Sequence, residues 1–453
     1  MQNTHKIILI LFIILIFICN ITDTDQLKIK LINNLVVLRG ILAPNCPWYS
    51  ISDLVLNDGA GINLYNTYKQ KYGDFALTQM FGEKIYLVTN HRYIKDILDN
   101  SPHIFSVGQL KKKFFKAFMS KNVGVSTGCP WKKRRHINEI ALVTDKLHTY
   151  SEKYNQDMNK QLQKWRDKSL IVFSDFFNLG KTMVSKIVFN ANTIDDDVFN
   201  IFAKANSTQA FFNPNFKIDP KIYNNYLNVL THYINNPNKQ SLVELCLRAT
   251  DNKEEVLHQI PHFIFPIVGL FVTTIPRLLS LLCNHPNDFE KVLHEISSID
   301  PNHQDVSREV YKLPYLRKCV LETLRLNNTV ITTFRTLTRD YTFDHKYHFK
   351  KGTQFLILNN PVLREKEYFH EPNRFLPSRW TPAMEKSYYA ISFNQGPQKC
   401  PGKELAIYIT QNFIYNLVKI KKIGTKQSIK TGQIPTDAIA QIINPCNIRF
   451  YFS

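Results

Sequence analysis

The sequence predicts a mainly α-helical protein with small β-sheets. Apolar residues recur at helical spacing along much of the chain, most clearly at residues 313–326 and 403–420. Residues 253–283 form a long apolar stretch that prolines and polar residues interrupt, so we predict a core helix buried on all sides rather than a membrane span. Short segments at residues 75–78 and 84–88 predict a small sheet.

The remaining elements follow from the same signals. We predict further short strands within residues 338–359. No Gly/Ser tract, Pro-rich spacer, charge block or internal repeat divides the chain, so we predict one large domain, residues 48–453. The predicted additional helices lie near residues 62–72, 91–98, 131–142, 144–205, 223–235 and 288–296.

The composition allows a large core and a basic surface. Hydrophobic residues make up 44% of the chain, and 57 Lys and Arg against 37 Asp and Glu give a formal net charge of +20. The basic residues are spread out, without zinc-finger spacing or another nucleic-acid module, so we predict no nucleic-acid partner. An anionic membrane surface and an acidic redox partner are favoured, although charge alone fits a merely soluble basic surface nearly as well.

The N-terminal segment predicts a membrane anchor. Residues 7–19 form an unbroken apolar run that follows His5 and Lys6. The run is shorter than the roughly 20 apolar residues of a full span, and no small-residue cleavage pattern follows it. We predict an uncleaved signal anchor at residues 1–22 and a linker at residues 23–47. A cleaved secretory signal and a buried strand are the alternatives.

Cys400 differs from the other seven cysteines because of its neighbours. The eight cysteines form no C-x-x-C pair and are too sparse for a disulfide scaffold, which favours a reducing compartment. Residues 392–404 read SFNQGPQKCPGKE, with Gly and Pro around Cys400 directly before a predicted helix. Backbone N–H groups and a helix dipole at such a place lower the pKa of a thiol and orient it. An ordinary turn with a buried cysteine is the alternative.

This loop resembles the haem-binding loop of the cytochrome P-450 superfamily. The family pattern is F-x-x-G-x-[R/H]-x-C-x-G, and Phe393, Gly396, Cys400 and Gly402 are in register with it. The resemblance implies a haem b cofactor whose iron is ligated by Cys400. It also implies the family fold, in which the haem is buried between the long central helix and the Cys loop with the last helix.

Two further motifs have the order and spacing of that family. The helix at residues 313–326 carries an E-x-x-R motif as Glu322 and Arg325, which share one helical face. A solvated surface pair is the alternative for a lone E-x-x-R. Residues 370–375, HEPNRF, resemble the family's P-x-R-F. The resemblance therefore implies that Arg374 joins Glu322 and Arg325 in a buried charge network.

The resemblance also implies residues that hold the haem propionates. Residues 131–135, WKKRR, resemble the W-x-x-x-R helix of the family, so Trp131 and Arg135 would reach the propionates. Arg335 occupies the place of another propionate-pairing arginine, and an Arg fork matches a carboxylate well. The three basic residues between Trp131 and Arg135 would face outward and dock an acidic electron donor.

Two positions depart from the family pattern. Gln398 stands where the haem loop normally has Arg or His. On the long helix, Thr273 and Thr274 match the threonines of the oxygen-activation motif, but no acidic residue precedes them, and an ungapped alignment places Leu270 at the first threonine. Either a local bulge brings Thr273 over the haem, or the distal proton relay is absent. We predict both threonines as catalytic; the alternative is that they bond back to their own helix.

The function implied by the resemblance is that of a haem-thiolate monooxygenase, since a thiolate ligand favours O–O bond cleavage. The enzyme would oxidise a lipophilic substrate (sterol, fatty acid or terpenoid) with electrons from a separate reductase. Residues 106–125 and 211–212 would line or cover the pocket. The catalytic domain would face the cytoplasm from a single-pass anchor. The alternatives are a reductase-independent isomerase, dehydratase or peroxygenase acting on oxygenated lipids, and a haem-binding sensor or degenerate lipid-binding protein.

Overall fold

The computed structural model is mainly helical. Within its described residues the chain forms a five-stranded sheet and two smaller sheets, which confirms the predicted fold class. The predicted anchor, the linker and residues 211–212 lie outside the described residues. The structure describes residues 59–80, 83–115, 119–205, 217–300, 302–423, 430–431 and 448–452.

The elements are numbered here in chain order. The helices are α1 (Gly59–Tyr72), α2 (His91–Asp99), α3 (Gln109–Phe115), α4 (Gly128–Leu142), α5 (Ser151–Leu162), α6 (Phe173–Val184), α7 (Asp197–Ala205), α8 (Pro220–Asn235), α9 (Leu242–Ala249), α10 (Lys253–Asn284), α11 (Pro286–Ser297), α12 (Val306–Tyr311), α13 (Pro314–Leu326), α14 (Asn359–Val362), α15 (Pro382–Glu385) and α16 (Lys403–Ile420). The strands are β1 (Phe75–Met80), β2 (Glu83–Val88), β3 (Phe105–Val107), β4 (Leu170–Val172), β5 (Thr332–Leu337), β6 (Tyr341–Phe343), β7 (Tyr347–Phe349), β8 (Gln354–Leu358), β9 (Lys430–Thr431) and β10 (Arg449–Tyr451).

The five-stranded sheet joins two distant parts of the chain. Its strand order is β1-β2-β8-β5-β3. Strands β2 and β8 pair in parallel, with Tyr86 opposite Phe355, and the other neighbours pair antiparallel. On β5, Arg335 lies opposite Val107 of β3. The sheet therefore places Arg335 beside the end of β3, from which the chain continues into α3.

Helix α10 runs through the helical core. Among the described residues it is the one helix long and apolar enough to cross a membrane, yet 72% of its most apolar window is buried inside the protein. This burial agrees with the predicted core helix. Pro266 lies inside the helix, and a π-helical turn at Leu270–Thr274 interrupts it. Such turns are frequent at functional sites.

Helix α16 is buried along nearly its whole length and has the predicted bounds. It contacts α5, α10, α12 and α13. Two buried asparagines fasten it to α5, because Asn416 donates to Asn155 Oδ1 at 3.0 Å and Asn412 donates to the Tyr154 carbonyl at 3.3 Å. The segment directly after Cys400 is thereby held firmly in the core.

Two regions differ from the prediction. The predicted helical region at residues 144–205 is divided by strand β4, which pairs with β10 near the C-terminus. This long-range pairing leaves no trace in local periodicity. The predicted pocket loop at residues 106–125 contains helix α3 and a 3-10 turn, Val123–Val125. Its residues 116–118 lie outside the described part of the chain.

Candidate active site

The loop before α16 directs Cys400 into the protein. The Cys400 N–H donates to the Phe393 carbonyl at 2.8 Å, and Arg135 of α4 donates to the Lys399 carbonyl at 2.6 Å. Cys400 is accessible to solvent although protein surrounds it deeply. The thiol therefore opens onto an internal cleft. Helix α10 contacts both α13 and α16, so it forms part of the same core region.

The electrostatic surroundings of Cys400 pull in two directions. Burial raises the pKa of the Cys400 thiol, whereas the Gly402 N–H and the positive charges of Arg135 and Lys403 lower it. The net direction is upward. The predicted stabilisation of the thiolate by the start of the helix is therefore present, but desolvation outweighs it.

The two glycines of the loop have different roles. Gly396 has a φ of 71°, and a Cβ at this position would lie 2.5 Å from the carbonyl oxygen of Leu98 at the end of α2. Glycine is required there by the close approach of a neighbouring helix, and the left-handed backbone adds to that requirement. At Gly402 a Cβ would meet only the Leu142 side chain, at 3.7 Å.

A buried carboxylate, Glu322, ties α13 to the segment that precedes the Cys loop. Arg325 donates to both of its oxygens at 2.8 Å, and the Trp380 indole N–H and the Leu376 backbone N–H donate at 2.9 and 3.0 Å. Burial alone would raise the pKa of Glu322, but the charges and hydrogen bonds of Arg325 and its neighbours lower it overall. Glu322 is therefore an anion in the core.

Arg379, not Arg374, is the third charged member of this network. The Arg379 Nε donates to Glu322 at 3.1 Å, and its side chain is only 9% exposed. The Arg374 side chain is 66% exposed and pairs with a neighbouring glutamate, while its carbonyl accepts from Arg325 at 3.2 Å. The predicted role of the Arg374 side chain is therefore wrong. Residues 377–380, PSRW, repeat the P-x-R-aromatic pattern, so the sequence offers Arg379 as a second candidate beside Arg374.

The two arginines predicted to hold propionates are both buried. Arg335 donates to Ser101 Oγ at 2.9 Å and to the Phe334 carbonyl at 2.8 Å, and it forms no ion pair among the described residues. Burial lowers the pKa of Arg335 to about 10. Arg135 pairs with Glu139 on its own helix at 2.7 Å. Arg335 is thus a buried cation that still lacks an anion among these contacts.

Sequence reasoning missed two titratable residues in this region. Burial, followed by the charge of Arg335, lowers the pKa of Lys111 on α3 to about 8. Burial, followed by the charges of Lys111 and Arg135, lowers the pKa of His262 on α10 to about 4. Arg135 acts on both His262 and Cys400, so it links this group of basic side chains to the thiol. Residues 111–113 read KKK, and local pattern does not reveal which lysine turns inward.

One face of α10 is accessible to solvent. His262, Pro266, Gly269 and Leu270 are partly or fully accessible, although most of the helix around them is buried. Their spacing places them on one side of the helix. Apart from His262, this face is apolar.

The predicted catalytic threonines do not contribute to this accessible face. Thr273 is 7% exposed and donates to the carbonyl of Gly269 at 2.6 Å. Thr274 is 1% exposed, and its hydroxyl has no hydrogen-bond partner among the described residues. The predicted local bulge corresponds to the π-helical turn, but the turn leaves both hydroxyls inside the core. The structure therefore gives no support to the predicted catalytic role, and Thr273 bonds back to its own helix.

The basic surface of α4 is only partly as predicted. Lys132 and Lys133 are exposed. Arg134 is 12% exposed, and it donates to Glu255 of α10 at 2.7 Å and to Ser126 at 2.7 Å. The prediction that Arg134 faces outward is therefore corrected, because its guanidinium fastens α4 to the long helix.

These residues fit the haem that the resemblance implies. A thiol on an internal cleft can serve as an axial ligand, and Arg335 suits a propionate carboxylate. Trp131, 9% exposed, lies on α4 one turn before Arg135, and its ring approaches that of His103 with centroids 6.5 Å apart. Arg135 is anchored next to Cys400 through Lys399. Cys400, the buried arginines and Trp131 are therefore the residue types that an anionic cofactor with a thiolate ligand requires.

Known proteins are similar to this chain in sequence and in fold. The family model described as cytochrome P450 matches residues 44–262 and 252–420. Among solved structures, the retinoic acid-bound cyanobacterial CYP120A1 is similar, with a TM-score of 0.70 and 18% identity over 90% of this chain and 97% of that one. At this identity the similarity shows the fold alone.

Curated relatives match parts of the chain. The probable cytochrome P450 49a1 of Drosophila melanogaster is 30% identical over 37% of this chain and 30% of its own length. The abscisic acid 8'-hydroxylase 2 of Arabidopsis thaliana is 28% identical over 43% of each chain. The mitochondrial sterol 26-hydroxylase of Mus musculus is 25% identical over 44% of this chain and 38% of its own. The matches thus span less than half of the length of these relatives.

Proposed function

This chain belongs to the cytochrome P450 family, and on that premise we propose that it is a haem-thiolate monooxygenase that inserts oxygen from O₂ into a lipophilic substrate. The position of Cys400 carries this proposal, because its thiol opens onto an internal cleft directly before the buried helix α16. Relatives whose names describe hydroxylases support the reaction class. The family's cofactor is haem, and we propose that it is haem b.

The residues of this chain hold and shield the cofactor. When bound, a haem with a thiolate ligand supplies the O₂ activation and the oxygen insertion. Cys400 would provide the thiolate, while Arg335, Arg135 and Trp131 would hold the propionates. The accessible apolar face of α10, around Pro266 and Leu270, would exclude water from the bound cofactor.

The Glu322 network acts as positioning machinery for this site. It joins α13 to residues 376–380, the segment that leads into the Cys loop. Gly396 lets the loop approach α2 closely. Together these contacts fix the position of the Cys400 thiol. Such contacts orient a metal ligand and tune the metal that it binds.

Electrons are proposed to come from a separate NADPH-dependent reductase or another redox protein. The net charge of +20 and the exposed Lys132 and Lys133 support an acidic partner. Arg135, on the same helix, bonds to the carbonyl beside Cys400, so a partner bound at α4 would dock near the thiol. We further propose that residues 1–22 anchor the domain, residues 48–453, at the cytoplasmic side of a membrane.

A reductase-independent reaction is the second candidate. It is favoured by the accessible face of α10, on which neither the Thr273 nor the Thr274 hydroxyl lies. A site without a distal proton relay suits an isomerase, dehydratase or peroxygenase acting on oxygenated lipids.

The test compares two conditions with haem-loaded protein and candidate lipids. Product formed with NADPH and a reductase under O₂ supports the monooxygenase. Product formed only with added hydroperoxide, or from a lipid hydroperoxide without reductase, overturns it in favour of the second candidate. Haem binding without any turnover contradicts both candidate reactions and favours a haem-binding sensor.

A further inference from the structure

Lys111 and His262 meet at one point in the active-site region. A Cβ built on Gly124 would lie 3.6 Å from Lys111 Nζ and 3.4 Å from His262 Cε1. Gly124 belongs to the 3-10 turn before α4, so α3, this turn and α10 converge here. The two nitrogen-bearing side chains therefore share one small region of space, beside a glycine that leaves room.

The positive charge at this point has no counter-ion among the described residues. The Lys111 ammonium lies over the ring of Phe115, with 5.9 Å to the centroid, and forms no ion pair in the described part of the chain. The charged groups that act on Lys111 and His262 are the cations Arg335 and Arg135. A buried cation among other cations is strongly unfavourable unless an anion joins it.

An apolar surface on α10 begins beside Lys111 and His262. His262 begins the accessible face of α10, which continues through Pro266 and Gly269 to Leu270. At 1.5 Å per residue this face is about 12 Å long. Val123 and Val125, which precede and follow Gly124 in the chain, are both buried. A ligand that fills this space has an anionic head and an apolar tail.

We propose that Lys111 and His262 bind the carboxylate of the substrate, which is therefore an amphipathic acid of the fatty-acid type. This inference rests on the proposed function, because it names the substrate class of the same pocket. The haem propionates are accounted for by Arg335 and by Arg135 with Trp131. Lys111 is the additional cation, and its ammonium lies near His262, at the start of the accessible face of α10.

Binding to the full-length, haem-loaded protein tests this assignment. Isothermal titration calorimetry measures the affinity for dodecanoate, 1-dodecanol and dodecylammonium. We expect dodecanoate to bind at least tenfold more tightly than 1-dodecanol, and dodecylammonium to bind worst. Lys111→Met should weaken dodecanoate at least tenfold and leave 1-dodecanol unchanged, because only the acid uses the charge.

Three variants complete the design. Lys111→Arg should retain the preference for dodecanoate, and His262→Phe should reduce it severalfold. Lys164→Met is the control for the loss of one positive charge, because Lys164 is exposed and lies outside the proposed site. It should leave all three affinities unchanged. Equal affinity for acid and alcohol in the parent protein overturns the proposal.

Haem content and the absorption spectrum distinguish the remaining outcomes. If Lys111→Met lowers haem retention while the preference for dodecanoate persists, Lys111 is a propionate ligand and the proposal is overturned, with the proposed function intact. If the parent protein gives no thiolate-type haem spectrum, the proposed function itself fails.

Discussion

Glu322 joins helix α13 to the segment before the Cys loop, and its partners define which charged residues matter. The E-x-x-R motif predicted Glu322 and Arg325, because their spacing of three is a local property of a helix. The third cation depends on how residues 370–380 turn back over α13, and two P-x-R-aromatic segments compete there. Sequence alone could not choose between Arg374 and Arg379, since only the tertiary fold buries one of them.

Replacing Arg379 or Arg374 by methionine should destabilise the protein to very different extents. We expect Arg379→Met to destabilise the protein by about 3 kcal/mol, because it removes one partner of a buried carboxylate. Arg374→Met removes an exposed pair and should cost less than about 1 kcal/mol. Denaturant unfolding of both variants, compared with the parent, measures the difference. Equal losses would contradict the assignment of Arg379.

Lys111 illustrates the limit of residue-scale prediction at the site. A run of three lysines at residues 111–113 is typical of a solvated helix face. The deep position of Lys111 arises because α3 follows β3, whose pairing with β5 brings it beside Arg335. Non-local strand pairing of this kind is not encoded in a short window.

At the scale of elements, the Cys loop depends on its fit against α2. The pattern around Cys400 predicted a turn with glycines, and the structure explains why one of them is required. Gly396 combines a positive φ with a Cβ position 2.5 Å from the Leu98 carbonyl. Gly402 has neither constraint, since its φ is −93° and its Cβ would make only an ordinary contact with Leu142, at 3.7 Å.

Alanine substitutions should separate the two glycines. We expect Gly396→Ala to destabilise the folded protein by at least about 2 kcal/mol, because a left-handed backbone and a steric clash with α2 add together. Gly402→Ala should change stability by less than about 1 kcal/mol, because neither a left-handed backbone nor a steric clash constrains this position. Thermal unfolding and haem retention provide the measurement. A Gly396→Ala protein as stable as the parent would show that the loop does not pack on α2 in this way.

The long helices were predictable and the strand pairings were not. The bounds of α16 follow from uninterrupted helical periodicity, and α10 was recognised as a core helix despite its hydropathy. Strand β4 interrupts a predicted helical region because β10, nearly 280 residues later, supplies its partner. The sequence also does not predict which face of α10 is accessible, since an all-apolar helix has no polar side to mark it.

For the whole molecule, one buried histidine predicts how stability depends on pH. His148 is 2% exposed, with Nε2 at 2.9 Å from the Ala141 carbonyl and Nδ1 accepting the Tyr150 N–H at 3.1 Å. This arrangement requires the neutral ring. Burial, despite the opposing bond to Ala141, lowers the pKa of His148 from 6.5 to about 4.

The folded state therefore binds fewer protons than the unfolded state between pH 6.5 and about 4. The stability contributed by His148 is fully present above pH 6.5 and is lost as the pH falls to about 4, by up to about 3 kcal/mol. Urea unfolding across this range should show the decline, and His148→Gln should flatten it. His370→Gln, at a 90% exposed site, should leave the slope unchanged. An unchanged slope in His148→Gln would contradict this account.

Every functional proposal made for the molecule depends on sulfur from Cys400 reaching a haem iron. The most direct measurement is the absorption spectrum of the reduced, CO-treated protein, recorded for the parent and for Cys400→Ala, with Cys319→Ala as the matched control at a buried cysteine. The parent and the control should give the thiolate-type spectrum, and Cys400→Ala should lose it. A thiolate-type spectrum that survives in Cys400→Ala would contradict the account.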